Sequence, residues 1–248
     1  VAVLCMEGEN TALWTQCGSD TSYQLLDGQG PWRLVSVPNS TSFALHDHRG
    51  DVTLFSPTLK LTPLDPLLSF CPTLHILPAE HEGTWQAIGL TSDGRLLAPH
   101  RVLAKDATSF TCTDHLLIWT THAHEAMFVP LTCLTTTPQV SQLSRRVERG
   151  SRIVTAVPSA MSLVLQMPRG NLETTYPRPM VLDVIRDRLD RLAFGEALRV
   201  SRAHRVDLNL LHDHCPTAFL ERVPEILAQI HHVDHINLLL SNLRNEDV

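Results

Sequence analysis

Apolar and polar positions along the chain follow two different rhythms. From residue 1 to about 166, apolar residues come in short runs broken by turn residues, and no helical period is sustained. In Trp85-Gln86-Ala87-Ile88-Gly89-Leu90-Thr91-Ser92-Asp93-Gly94-Arg95-Leu96-Leu97-Ala98, two apolar runs flank an Asp-Gly turn, which predicts a hairpin. Residues 43–55 repeat the arrangement with a turn at Arg49-Gly50, and residues 110–120 do so with a returning strand over 126–131. Short strands with turns between them predict an all-β sandwich, barrel or propeller. A unit recurring at roughly forty to seventy residues, opened by a Ser-Phe pair at Ser42-Phe43 and Ser109-Phe110, favours propeller blades.

Beyond Gln166 the rhythm becomes helical. Met180, Val181, Val184, Ile185, Leu189 and Leu192 share one face of a helix that starts near Pro177 or Pro179, where proline is tolerated. Phe194, Ala197, Leu198 and Ser201 mark a second helix, and Leu208, Leu210 and Leu211 a short third. Phe219, Leu220, Val223, Ile226, Leu227 and Ile230 mark a fourth, with Pro224 implying a kink or a later start. A fifth begins around Ile236, Leu238, Leu239, Leu240 and Leu243. Short helices in succession suggest helical hairpins stacked as a solenoid. The expected division is thus β then α: residues 1–167 as the last blades of a WD40-like β-propeller, and residues 168–248 as the start of a TPR-like α-solenoid. A chain of 248 residues that opens on Val1 and closes on Val248 then reads as an internal piece of a longer protein.

Composition narrows the chemistry. With 43% hydrophobic and 19% charged residues, the chain belongs with globular proteins rather than disordered ones. Nothing in the formal charge of −6 suggests wrapping of a polyanion, and no apolar run is long enough to cross a bilayer, so no membrane partner is expected. Six cysteines without a C-x-x-C pair read as free thiols among apolar neighbours, in a reducing cytoplasmic or nuclear compartment.

Candidate active sites are few. Fourteen histidines, densest at His122 and His124, at His212 and His214, and at His231, His232 and His235, lack zinc-ligand spacing and read as solvated or capping side chains. There is no nucleophile elbow, no phosphate-cradling loop and no dinucleotide fingerprint, and Gly28-Gln29-Gly30 reads as a turn. No catalytic residue, metal or cofactor is therefore assigned. Arg145, Arg146, Arg149 and Arg152 form the one local basic cluster, a candidate contact for phosphates or for a partner's acidic face; the bland alternative is a solvated loop.

The most specific stretch straddles the change of rhythm: Ser151-Arg152-Ile153-Val154-Thr155-Ala156-Val157-Pro158, then Leu163-Val164-Leu165-Gln166-Met167-Pro168-Arg169-Gly170-Asn171-Leu172-Glu173. It resembles the corresponding junction in the family of the largest scaffold subunit of the Elongator complex, the IkappaB-kinase-complex-associated protein family. The likeness continues through His204-Arg205-Val206-Asp207-Leu208-Asn209 and Val233-Asp234-His235-Ile236-Asn237-Leu238, and upstream through Thr108-Ser109-Phe110.

That resemblance implies a non-catalytic scaffold supporting modification of the tRNA wobble uridine, with tandem propellers, a solenoid, and dimerisation and basic regions outside this chain. The implied partners are the other Elongator subunits, namely the catalytic radical S-adenosylmethionine and acetyltransferase-like subunit and a propeller subunit, a second copy of the scaffold, and tRNA through the complex. A vesicle-coat or nuclear-pore scaffold of the same architecture is the alternative. Pro168, Arg169, Gly170 and Asn171 are expected to form a structural junction: Leu163–Met167 as a closing propeller strand, Pro168 and Gly170 as the turn leaving it, and Asn171 as a helix cap fixing the angle between two bodies.

Overall fold

The structure is a computed structural model that describes residues 2–7, 10–17, 20–26, 32–38, 40–55, 61–79, 84–134 and 143–244. Two compact units divide the chain, Val1–Ile153 and Val154–Val248.

In the first unit, strands adjacent in sequence pair antiparallel and build sheets one after another. Strands β1 (Ala2–Glu7), β2 (Asn10–Cys17) and β3 (Asp20–Leu26) form the first sheet. The second contains β4 (Arg33–Ser36), β5 (Phe43–His46), β6 (Val52–Phe55) and β7 (Leu61–Leu64). The third contains β8 (Thr73–Pro78), β9 (Trp85–Leu90), β10 (Leu96–Ala98) and β11 (Arg101–Ala104). The fourth contains β12 (Ala107–Cys112), β13 (Leu116–Thr121), β14 (Glu125–Pro130) and β15 (Leu143–Arg146).

Apolar side chains pack each sheet on the next. Leu13 meets Leu45 and Phe55. Val52 and Leu54 share a cluster with Leu74, Ile76 and Leu97, and Ile88 and Leu96 share one with Phe110, Leu117 and Trp119. Strand β13 is buried at every position, which explains why Leu-Leu-Ile-Trp-Thr-Thr lacks the polar alternation of a half-exposed strand.

A sheet of β16 (Arg152–Val157), β17 (Ser162–Gln166) and β18 (Leu172–Thr175), in that order, begins at the boundary and lies mostly in the second unit. Six helices follow: α1 (Arg178–Asp190), α2 (Phe194–Ala203), α3 (Leu210–Asp213), α4 (Pro216–Glu221), α5 (Val223–Gln229) and α6 (Val233–Asn242). Val181, Ile185 and Leu189 pack with Phe194, Leu198, Phe219, Ile226 and Leu239 in one core. The guanidinium of Arg178 donates to the carbonyls of His204 (3.0 Å) and Arg205 (3.2 Å), so the first turn of α1 covers the unpaired carbonyl end of α2. Asn209 is fully buried and accepts the backbone N–H of Arg244 at 2.9 Å, which ties the α2–α3 link to the end of α6.

Three expectations change. The Ser-Phe pairs do not mark equivalent positions, because Phe43 opens the second strand of its sheet while Phe110 lies in the first strand of another. The expected fourth helix is two helices, since Pro224 takes the start of α5, where its missing N–H costs nothing. Leu163–Met167 is not a closing strand: β17, which ends at Gln166, is paired on both sides, and strand gives way to helix only at Pro177.

The true repeat is a loop. Hairpins close on the pairs His46↔Val52, Leu90↔Leu96, Thr120↔Ala126 and Gln166↔Leu172, each enclosing five residues. The fourth loop residue has positive φ every time: Gly50 (103°), Gly94 (85°), His124 (67°) and Gly170 (88°). Its N–H returns to the carbonyl of the first loop residue, at 3.2 Å in Gly50 and Gly94, 3.1 Å in His124 and 2.8 Å in Gly170. In three loops the first side chain also accepts the N–H of the fifth residue: Asp47 from Asp51 (2.8 Å), Thr91 from Arg95 (2.9 Å) and Thr121 from Glu125 (3.3 Å).

Candidate interaction surfaces

The four arginines of the basic cluster are all exposed. Arg145 and Arg146 end β15, the edge strand of its sheet, opposite Ala126 and Glu125. Successive strand residues point to opposite faces, so these two guanidinium groups diverge. Arg149 lies in the turn before β16, and Arg152 opens that strand. The turn is firmly held: the Ser151 hydroxyl donates to the Glu148 carbonyl at 2.6 Å, and the Ile153 N–H donates to Oγ of Ser109 at 2.8 Å. The cluster is therefore an exposed rim, not a convergent pocket.

Pro168, Arg169, Gly170 and Asn171 are likewise exposed, in the loop joining β17 to β18. Asn171 caps no helix. It precedes β18 and accepts the Met167 N–H at 2.9 Å, whereas α1 starts after Pro177 with no capping side chain.

Histidine chemistry is where sequence reasoning missed most. His46 is fully buried rather than solvated; its Nε2 accepts the Cys71 N–H at 2.9 Å, so its proton sits on Nδ1, 3.2 Å from the Asp51 carbonyl. Burial holds His46 and His75 below the usual histidine range. The signal available in the sequence was position: His46 ends a continuous apolar run, Phe43-Ala44-Leu45, directly before a turn. No group of three or more potential ligands comes together for a metal among the described residues. Cys71 and Cys112 are free thiols, and burial pushes both up to about 12, while Cys215 is exposed. Gly28-Gln29-Gly30 lies outside the described residues.

Successive packed meander sheets followed by stacked helices define a β-propeller leading into an α-solenoid. The family profile for the ELP1 N-terminal second beta-propeller matches residues 26–154, and that for the ELP1 alpha-solenoid matches residues 178–248. Elongator complex protein 1 of Schizosaccharomyces pombe is 41% identical over 247 residues, covering 94% of this chain and 20% of that protein. The putative elongator complex protein 1 of Xenopus laevis is 43% identical over 233 residues, covering 87% and 20%. That of Saccharomyces cerevisiae is 39% identical over 189 residues, covering 71% and 14%. The chain belongs to the Elongator complex protein 1 family, and it spans about a fifth or less of the length of these relatives. Between the two matched segments lie residues 155–177, which carry most of the β16–β18 sheet.

Proposed function

We propose that this chain is the propeller-to-solenoid segment of a non-catalytic scaffold subunit of the Elongator complex, acting in the cytoplasm and also the nucleus to support modification of the tRNA wobble uridine. Membership in the Elongator complex protein 1 family across both units is the observation that carries this reading. The build of the molecule supports it: packed blades and helices present broad surfaces, and the basic cluster forms an exposed rim. Within the assembly, the scaffold bears the catalytic radical S-adenosylmethionine and acetyltransferase-like subunit and a propeller subunit, pairs with a second copy through regions outside this chain, and meets tRNA through the complex. Arg145, Arg146, Arg149 and Arg152 are offered as contacts for a partner's acidic face or for tRNA.

The test is affinity purification of the full-length protein, with mass spectrometry of the proteins recovered and of wobble uridines in tRNA after its depletion. Co-purification of Elongator subunits and loss of the modified uridine are expected. Recovery of coat or pore components with no Elongator subunit, or unchanged tRNA modification, would overturn it.

A further inference from the structure

The helical unit contains a cavity of about 860 Å³. Its walls come from the end of α1, from α2, and from the link between α5 and α6. Gln229 holds these walls together, because its side-chain oxygen accepts the Gly195 N–H at 2.9 Å and its amide nitrogen donates to the Leu192 carbonyl at 3.0 Å.

The lining has two characters. Leu192, Ala193 and Ala228 give it an apolar part. Arg191, Arg199, Arg202, His231, His232 and His235 give it a cationic or protonatable part. Glu196 is the one carboxylate in the lining, and it is already paired with Arg188. Arg191 is paired with Asp187 at 2.8 Å. Arg202, by contrast, donates to Nε2 of His235, an uncharged partner that leaves its positive charge unbalanced. Desolvation, helped by Arg202 and His232 and opposed by Asp234, keeps that imidazole below its ordinary range. The Arg199 side chain is exposed and makes no hydrogen bond or ion pair with another described residue. In a chain of net charge −6, two unbalanced guanidinium groups beside three histidines and an apolar wall stand out.

We propose that this pocket is a docking site for an acidic peptide segment of a protein partner. Its carboxylates pair with Arg199 and Arg202, for which the planar guanidinium fork is well suited, and its apolar side chains lie against Leu192, Ala193 and Ala228. Charge placement favours a short segment over a nucleic acid. The elements that build the pocket also carry Asp187 and Asp190 on α1, Glu196 on α2, Glu225 on α5 and Asp234 on α6. Asp187, Asp190, Glu196 and Glu225 already hold Arg191, His214, Arg188 and Arg222, so a long phosphate backbone would outrun Arg199 and Arg202, whereas a short acidic segment need not leave the pocket. The site does not depend on which assembly the scaffold serves.

The test is fluorescence anisotropy with the full-length protein, using a labelled peptide of alternating Glu and Leu and, in parallel, a labelled oligouridine. The Arg199→Glu and Arg202→Glu double variant should bind the peptide at least roughly tenfold more weakly, because two charge-assisted contacts become repulsive, while oligouridine affinity stays unchanged. Arg199→Glu alone should also weaken peptide binding, and it decides the matter if the double variant fails to fold, since the exposed Arg199 side chain holds no other described residue. Equal peptide affinity in wild type and variant would overturn the proposal. So would loss of oligouridine binding with peptide binding intact, which would assign the pocket to RNA.

Discussion

The backbone N–H of Cys71 donates to Nε2 of His46 across 2.9 Å, so the imidazole at the end of β5 supports the chain entering β8. The same ring lies parallel to Phe70 with centroids 5.1 Å apart. Only the neutral ring can accept this bond, and protonation of Nε2 removes it.

Stability of the blades should therefore depend on pH through His46. Its folded pKa lies below the ordinary 6.5, so below that value the unfolded chain takes up a proton that the folded chain refuses. The contribution is complete above 6.5 and declines as pH falls from there through the lowered folded value. Urea unfolding followed by tryptophan fluorescence at about pH 7.5 and about pH 5.5 should show a larger loss in the wild type than in His46→Gln. Equal losses in the two proteins would count against it.

The repeated loops give a graded series. A Cβ on Gly50 would stand 2.3 Å from the Leu67 carbonyl oxygen, on Gly94 it would stand 3.1 Å from that of Ala107, and on Gly170 it would meet nothing within 4 Å. Alanine at Gly170 should cost only the left-handed backbone, about 1 kcal/mol. Alanine at Gly50 should cost several-fold more because backbone must move. The order of denaturation midpoints, with Gly50→Ala lowest and Gly170→Ala highest, is the measurement.

His124 is the informative exception, since it holds the position that glycine holds in the other three loops, with φ of 67°. Replacing it with glycine should stabilise the fourth sheet by up to about 1 kcal/mol, as the backbone strain is relieved and partly offset by unfolded-state entropy. A lower melting temperature for His124→Gly would show that its side chain does more than tolerate the turn.

Gly195 sets the spacing of the helices. A Cβ there would lie 2.7 Å from the Gln229 carbonyl oxygen and 3.0 Å from the Gln229 Cβ. Gly195→Ala should thus push α5 away and cost about 1–3 kcal/mol despite the better helix propensity of alanine. Limited proteolysis of the α5–α6 link should accelerate in this variant and in Gln229→Ala.

Thiol reactivity should separate the cysteines. Iodoacetamide at neutral pH should label Cys215 quickly and spare Cys71 and Cys112, whose buried thiols stay protonated to about 12. Peptide mapping of the alkylated protein provides the check.

What could be read from the chain follows from how local each signal is. Asp93-Gly94 and Arg49-Gly50 announce their turns because glycine is the ordinary occupant of a left-handed position. The hairpin at residues 121–125 could be read only from its flanking strands, because a non-glycine residue, His124, had taken the place that carries the turn signal. The buried faces of α1 and α2 were legible because helical spacing alone selects Met180, Val181, Ile185 and Leu189, then Phe194, Ala197, Leu198 and Ser201. Asn171 misled because a capping residue and a turn residue look alike until the next element is known. The pocket in the helical unit was unreadable, since its charges come from segments brought together only by folding. His231, His232 and His235 were noticed as a group, but their neighbours Arg199 and Arg202 sit more than a helix away in sequence.

The repeated loops also impose an order in time. Gly50, Gly94 and His124 each lend their carbonyl to a backbone N–H further along, that of Leu67 (2.9 Å), Ala107 (2.9 Å) and Val147 (2.9 Å). On a ribosome, each hairpin emerges before the segment that fastens it. Each of these three blades is therefore provisional until the chain leading onward arrives, and stalled synthesis would leave the newest hairpin unlatched while the older ones stay closed.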